Sequence, residues 1–290
     1  MIKVMNLRKT YRGGVRALDG ISLTIPVGLY GLLGPNGAGK TTFLRILATL
    51  LAPDEGQIEV FGCDASRQAA DVRRMLGYLP QEFGAYPTLT VTEYLDYMAI
   101  LSGIKSAAER RSRIYSVLGM VRLTEKAKSA TRSLSGGMRR RLGVAQALLG
   151  DPKLLIVDEP TAGLDPEERV NLRNLLADLA RDRVVLLSTH IVEDVSQVAP
   201  VLAVLQQGHI KYVGSVSDLL RRADGQVWTA TVDDLTAAQL RTRHALVGSV
   251  RTVHGQQVRM VAASAPVPGA APASPTLEDA YVALMGGAGV

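Results

Sequence analysis

The sequence predicts an α/β fold. A mixed, mostly parallel sheet is flanked by helices, with an N-terminal antiparallel β-subdomain, an inserted α-helical subdomain and a small α+β C-terminal appendage. Three observations carry this expectation. Apolar runs of strand length at 29–33, 153–157 and 184–188 alternate with helical patterns, the sign of a parallel sheet covered on both faces. The first of these runs leads directly into a Gly-rich turn and a helix. Between about 90 and 150 the apolar spacing is helical throughout.

The opening stretch, MIKVMNLRKTYRGG, has no apolar signal core and reads as an edge strand. In ISLTIPVG, the residues Ile21, Leu23 and Ile25 alternate, as in an antiparallel strand with one buried face. After the strand at 29–33 a helix is expected over 41–51, then short strands at 57–61 and 76–79. VTEYLDYMAILSG and RIYSVLGMVRL supply helices of the inserted subdomain, and 166–180 an amphipathic helix. Composition shifts after Gly214. Residues 226–232 and 250–261 alternate as strands, and AASAPVPGAAPASP at 262–275 reads as a flexible linker with no packed structure of its own. A short helix at 277–285 closes the chain. The expected division is a nucleotide-type domain at 1–215, with its helical subdomain at about 90–150, and an accessory region at 216–290.

Composition narrows the function classes. The chain has 290 residues, 47% apolar and 21% charged, which excludes collagen-like, coiled-coil and fully disordered classes. The longest apolar runs, such as 184–187 and 201–205, fall far short of the ~18–20 residues of a spanning helix. A single cysteine, Cys63, excludes an internal disulfide and fits a reducing compartment. The net charge of +6 comes with scattered arginines, among them Arg139–Arg141, and only 4% aromatic residues to stack bases. This reads as a solvated basic surface, with no nucleic-acid partner expected. His209, His244 and His254 have no metal-ligand spacing.

Chemistry concentrates in two motifs. GPNGAGKT, from Gly34 through Asn36, Gly37, Gly39 and Lys40 to Thr41, fits GxxxxGK[ST] between a strand and a helix. Glycines let backbone N–H groups curl around phosphate oxygens, and the helix start adds partial positive charge. Lys40 reaches the β- and γ-phosphates, and the Thr41 hydroxyl is suited to Mg²⁺. LLIVDE then ends an apolar strand in two carboxylates. Asp158 suits the shell of Mg²⁺, and Glu159 is placed to polarise an attacking water.

Between them stands Leu134-Ser135-Gly136-Gly137-Met138. This order resembles the ATP-binding cassette (ABC) ATPases, whose signature LSGGQ opens a helix about twenty residues before the acidic strand; Met138 replaces the usual Gln. The resemblance covers roughly 1–215 and implies a P-loop NTPase core of ABC type that binds ATP with Mg²⁺. It also implies that Ser135, Gly136 and Gly137 face the γ-phosphate of a partner subunit's ATP, so that hydrolysis needs a homodimer or heterodimer. Tyr11 resembles the aromatic that stacks on adenine, and Thr42 joins the nucleotide-binding set. Gln81, in YLPQE, looks like the glutamine that touches Mg²⁺ or water and senses the membrane partner. Asp165, in AGLDP, resembles the aspartate that crosses the dimer interface, and is equally at home as a helix N-cap. His190, in LLSTH, resembles the switch histidine at the γ-phosphate. Catalysis is thus expected from Glu159, His190, Lys40 and Gln81, with metal contacts from Thr41, Gln81 and Asp158.

The ending LEDAY, from Leu277 to Tyr281, and the stretch YLPQEFGAYPTLTVTEYL resemble cassettes serving two-component exporters. The implied partner is a separate transmembrane permease, with this chain peripheral on the cytoplasmic face of the plasma membrane. An ABC importer ATPase and a non-transport ABC ATPase remain the alternatives.

Overall fold

The computed structural model describes residues 1–286 other than 254, so His254 lies outside the described residues. The chain divides into two units, Met1–Val213 and the stretch from Gly214 onward. In chain order the first unit comprises β1 (Ile2–Thr10), β2 (Arg16–Ile25), β3 (Gly28–Leu33), α1 (Lys40–Leu47), β4 (Glu55–Val60), β5 (Cys63–Asp64), α2 (Ala69–Arg74) and β6 (Leu76–Leu79). It continues with α3 (Val91–Leu101), α4 (Ala107–Met120), α5 (Gly136–Leu148), β7 (Leu154–Asp158), α6 (Pro166–Leu179), β8 (Val184–Thr189), α7 (Val192–Ser196), β9 (Val201–Gln206) and β10 (His209–Ser215).

The antiparallel sheet has the order β2-β1-β4-β5. Its register pairs Ile2 with Ile25 and Val60, and Val4 with Leu23 and Ile58, so the apolar residues of three strands share one face. That face closes on α1 through Phe43, Leu44 and Leu47. The second sheet has six strands in the order β10-β9-β3-β8-β7-β6. The strands β9, β3, β8, β7 and β6 run parallel. Every residue of β7 and β8 is buried, as expected of strands with helices on both faces. A two-residue turn, Gln207–Gly208 with both φ positive, closes the hairpin to β10.

Local signals set the helix starts. Thr90 and Glu93 form a reciprocal capping box on α3. Ser106 caps α4 and Ser135 caps α5. Asp165 caps α6, with Pro166 in the first turn where a missing N–H costs nothing. The helix expected to reach Leu51 ends at Leu47. Thr49 turns left-handed (φ 58°), and the N–H groups of Leu50 and Leu51 fold back onto the Arg45 carbonyl. Among the described residues no helix is long and apolar enough to cross a membrane.

The second unit contains α8 (Val216–Arg222), β11 (Val227–Val232), α9 (Asp234–Arg243), β12 (Ala245–Thr252), β13 (Gly255–Val261), β14 (Ala271–Pro272) and α10 (Leu277–Gly286). Its sheet has the order β12-β13-β11-β14, all antiparallel. The helix α9 has no counterpart in the sequence reading, because its largely polar sequence buries only Ala237 and Leu240. The single strand expected at 250–261 is a hairpin whose first strand exposes most of its residues.

The stretch at 262–275 also departs from expectation, since it is not a free linker. Ala271 and Pro272 pair with Thr229 and Trp228, and the Ala273 N–H donates to the Val227 carbonyl at 2.9 Å. Pro272 is tolerated because β14 is an edge strand. Trp228 Nε1 donates to the Ala262 carbonyl at 3.0 Å, and Val267 and Ala270 pack on the small core of this unit.

Asp279 fastens the closing helix. Its Oδ2 accepts from the Thr276 N–H and hydroxyl, both at 2.7 Å, while the Thr276 hydroxyl accepts from the Asp279 N–H at 3.3 Å. Arg259 reaches the same carboxylate at 2.6–3.1 Å. Burial pushes the Asp279 carboxyl up, but Arg259 and Thr276 outweigh it and hold it below the usual carboxylate range. Arg259→Ala is expected to cost the C-terminal unit about 3 kcal/mol in urea unfolding at pH 7, the low end for a broken buried pair, because Arg259 is 28% exposed. A depressed carboxyl stabilises the fold only while ionised. The difference between variant and natural chain should therefore be full above about pH 4 and fade as the pH falls through the lowered value.

Candidate nucleotide site

The parallel register delivers the functional residues to one edge. Leu33 pairs with Thr189, and Asp158 with Ser188, so β3, β7 and β8 end at the same level. The phosphate loop leaves β3, Glu159 follows β7 and His190 follows β8. Gln81 lies two residues beyond β6, which pairs with β7. This is the carboxyl edge of the sheet, where open α/β folds carry their ligands.

The loop is shaped by its glycines. A Cβ on Gly34 would lie 2.2 Å from the Leu205 carbonyl oxygen, and one on Gly39 2.4 Å from that of Ala17. Gly37 and Gly39 also hold positive φ, at 79° and 106°. The Gly208 N–H donates to the Ala38 carbonyl at 3.0 Å, so the β9–β10 hairpin backs the loop. Asn36 is exposed at the loop tip, while Thr41 and Thr42 are half-buried in the first helical turn.

Lys40 is buried, and its Nζ donates to the Gly34 and Pro35 carbonyls at 2.7 and 3.1 Å. Burial lowers its pKa, partly offset by Glu159, whose Oε1 lies 3.5 Å away. Thr41 donates its hydroxyl to Asp158 Oδ2 at 3.0 Å. Asp158 is fully buried, and burial pushes its carboxyl up against the pull of that hydrogen bond. Its other oxygen, Oδ1, has no hydrogen-bond partner, and neither has the buried Ser188 Oγ. An orphaned anionic oxygen beside a threonine hydroxyl is a donor set that fits a hard divalent cation.

Glu159 is where the predicted catalytic residues meet. Its Oε2 lies 3.1 Å from His190 Nδ1 and accepts from Gln81 Nε2 at 3.5 Å, while Oε1 faces Lys40. The side chain is only 9% exposed. The backbone is left-handed here (φ 47°), a conformation of about 1–3 kcal/mol strain in a non-glycine residue. The Glu159 N–H donates to the Ser188 carbonyl at 2.9 Å, which holds the strained residue to the end of β8. A carboxylate, an ammonium, an imidazole and an amide thus converge at the mouth of a phosphate-shaped loop, a constellation suited to water attack on a phosphoryl group.

A family model described as ABC transporter matches residues 18–162. The chain belongs to the ABC transporter family. It is an ATP-binding ATPase subunit of that family, and relatives and solved structures agree. The Nod factor export ATP-binding protein I of Ralstonia nicotianae is 39% identical over 83% of this chain and 75% of its own. The linearmycin resistance ATP-binding protein of Bacillus subtilis is 36% identical over 78% of this chain and 72% of its own. A dimeric post-hydrolysis state of the cassette MJ0796, bound to ADP and Pi, is 28% identical with a TM-score of 0.67, over 74% of this chain and 98% of that one.

In this cassette Tyr11 is 40% exposed, and its hydroxyl lies 3.2 Å from Thr42 Oγ1, which puts an open ring beside the phosphate-loop helix. Ser135 and Asp165 are both exposed helix caps. Ser135 Oγ accepts from the Met138 N–H at 3.2 Å, and Asp165 Oδ1 from the Glu168 N–H at 2.8 Å. Among the described residues, no hydrogen bond or ion pair joins Ser135, Gly136, Gly137 or Asp165 to the phosphate loop. A Cβ on Gly137 would lie 2.4 Å from Glu168 Cδ, so α5 begins in close contact with α6.

Sequence reasoning missed the arginines of α5, which it took for surface charge. Arg139 donates to the Leu134 carbonyl at 3.1 Å and Arg141 to Glu168 at 3.1 Å. Arg140 donates to the Pro80 and Glu159 carbonyls at 3.2 and 3.4 Å, joining the helical subdomain to the Gln81 and Glu159 segments. Burial lowers its pKa. The one available signal was position, since the run follows directly on the signature glycines.

Thr41→Val removes the hydrogen bond to Asp158 Oδ2 and leaves that buried oxygen without its donor. The nucleotide-free cassette should lose about 1–3 kcal/mol in urea unfolding, with Thr41→Ser retaining most of its stability.

Proposed function

We propose that this cassette is the ATP-hydrolysing subunit of an exporter, working as a dimer that sandwiches two ATP molecules and drives a separate permease from the cytoplasmic face of the membrane. One observation carries this reading. Lys40, Gln81 and His190 converge on Glu159, while the helix start at Ser135, Gly136 and Gly137 has no bond to that cluster. A helix start rich in free N–H groups is a ready phosphate site, and in a dimer it serves the ATP on the opposite cassette. The MJ0796 cassette, solved as a dimer with ADP and Pi, supports this arrangement.

In this mechanism Tyr11 stacks on the adenine and the backbone from Gly34 to Thr42, with Asn36, Gly37 and Gly39, wraps the phosphates. The Lys40 ammonium exchanges the Gly34 and Pro35 carbonyls for β- and γ-oxygens. Glu159 draws a proton from the water that attacks the γ-phosphorus, as the bond to the ADP oxygen breaks. His190 holds the Glu159 carboxylate and contacts the γ-phosphate, and Gln81 orients the water. Asp165 meets its counterpart segment across the dimer. Thr41, Asp158 and Gln81 would hold Mg²⁺, which would offset negative charge on the phosphates.

Export is supported by the relatives named for Nod factor export and linearmycin resistance. The docking surface proposed for the permease is the cleft lined by Gln81, Phe83, Gly84, Arg139, Arg140 and Leu164. Exposed Tyr86 and Tyr97, which touch edge to face, add apolar surface on the same helical subdomain. A segment seated in that cleft would sense Gln81 directly, and so the state of the nucleotide.

Glu159→Gln should bind ATP and lose turnover by about 10²–10⁴-fold, the usual worth of a positioned acid–base group, and should accumulate as an ATP-bound dimer on gel filtration. Near-normal hydrolysis by that variant would remove Glu159 from its role. Ser135→Arg should still bind nucleotide in isothermal titration but neither dimerise nor hydrolyse it. Normal turnover there would sink the composite site.

A further inference from the structure

Asp194 has no part in the mechanism above, yet its side chain is fully buried within the short helix α7. A carboxylate taken wholly out of water is tolerated only when it is paired and hydrogen-bonded. Its Oδ2 accepts from two hydroxyls, that of Thr161 and, at 3.1 Å, that of Thr189. Its Oδ1 has no hydrogen bond and faces Arg173 NH1 at 3.6 Å. Arg173 reaches in from α6 with 4% of its side chain exposed, and the same NH1 donates to the Glu193 carbonyl at 3.5 Å.

The two threonines are the informative partners. Thr161 lies two residues beyond Glu159, and Thr189 immediately precedes His190. The Thr189 hydroxyl works in both directions, donating to Asp194 and accepting from the Ile191 N–H at 2.9 Å, which fixes the backbone on either side of His190. One buried carboxylate oxygen therefore ties together the two segments that carry Glu159 and His190.

We propose that Asp194, held in place by Arg173, is a positioning residue for hydrolysis. It clamps the segment after Glu159 to the segment around His190, and in doing so sets the 3.1 Å approach of His190 Nδ1 to Glu159 Oε2. Because Arg173 belongs to the helix capped by Asp165, the clamp also joins the proposed dimer-interface helix to the catalytic pair. The inference rests on the reading of Glu159 and His190 as that pair.

Thr161→Val tests it, since valine matches threonine in shape and lacks only the hydroxyl. The variant loses one of two hydroxyl donors to a buried carboxylate, so its melting temperature should fall by a few degrees. Its KM for ATP should stay within about twofold, while kcat falls about 10–100-fold, the cost of reacting groups misplaced by a fraction of an ångström to an ångström. Thr161→Ser, which restores the hydroxyl, should recover kcat to within about threefold of the natural chain. A natural kcat in Thr161→Val overturns the clamp. So does a loss of kcat that comes with weakened ATP binding and that serine does not repair. Glu159→Gln measured alongside separates the claims. Normal turnover in Glu159→Gln overturns the site reading and the clamp with it, whereas a dead Glu159→Gln beside a normal Thr161→Val overturns the clamp alone.

Discussion

The hydrogen-bonded register of β3, β8 and β7 is the constraint on which the rest depends. Side chains alternate faces along a strand, so a slip of one residue would turn the ends of these strands over. With Leu33 opposite Thr189 and Asp158 opposite Ser188, three chain reversals leave the sheet at one level. The phosphate loop, the acidic pair and His190 then share a few ångströms of space, although they come from distant parts of the sequence. The uninterrupted apolar character of β7 and β8 holds that register, because any slip would draw the polar ends into the core or expose the apolar ones.

Much of this was legible in the sequence. The phosphate loop lies between an apolar run and a helix, and the strands at β7 and β8 fall within a residue of expectation, since buried parallel strands have a plain apolar signature and sharp polar ends. The helix cap at Asp165 is equally local, and it stands where its side chain bonds the third N–H onward. Those residues depend on neighbours in sequence, and sequence reports neighbours well.

What escaped depends on partners far along the chain. Arg140 looks like any surface arginine until α5 packs against the segments of Gln81 and Glu159. Asp194 reads as one more acid in a polar helix, and only the fold surrounds it with Thr161, Thr189 and Arg173. The stretch at 262–275 has the composition of a linker, yet it finds an open edge along β11 and takes strand geometry from it. In each case tertiary pairing supplied what local preference lacked. The buried charges follow one rule: each is matched by an opposite charge or by hydroxyls, as with Asp279 and Arg259, and each would be a liability if its partner were lost.

The glycine at position 34 has a wider consequence. Its missing side chain lets the Leu205 carbonyl come against the phosphate loop, and the Gly208 N–H secures Ala38 from the same hairpin. The motifs proposed for the nucleotide end with His190, but the mould that shapes the loop continues to the β9–β10 turn. A fragment cut after His190 would carry the whole loop sequence and lack the wall against which Gly34 is packed. The shape of the phosphate loop is therefore set in part by a hairpin that lies outside the loop's own motif.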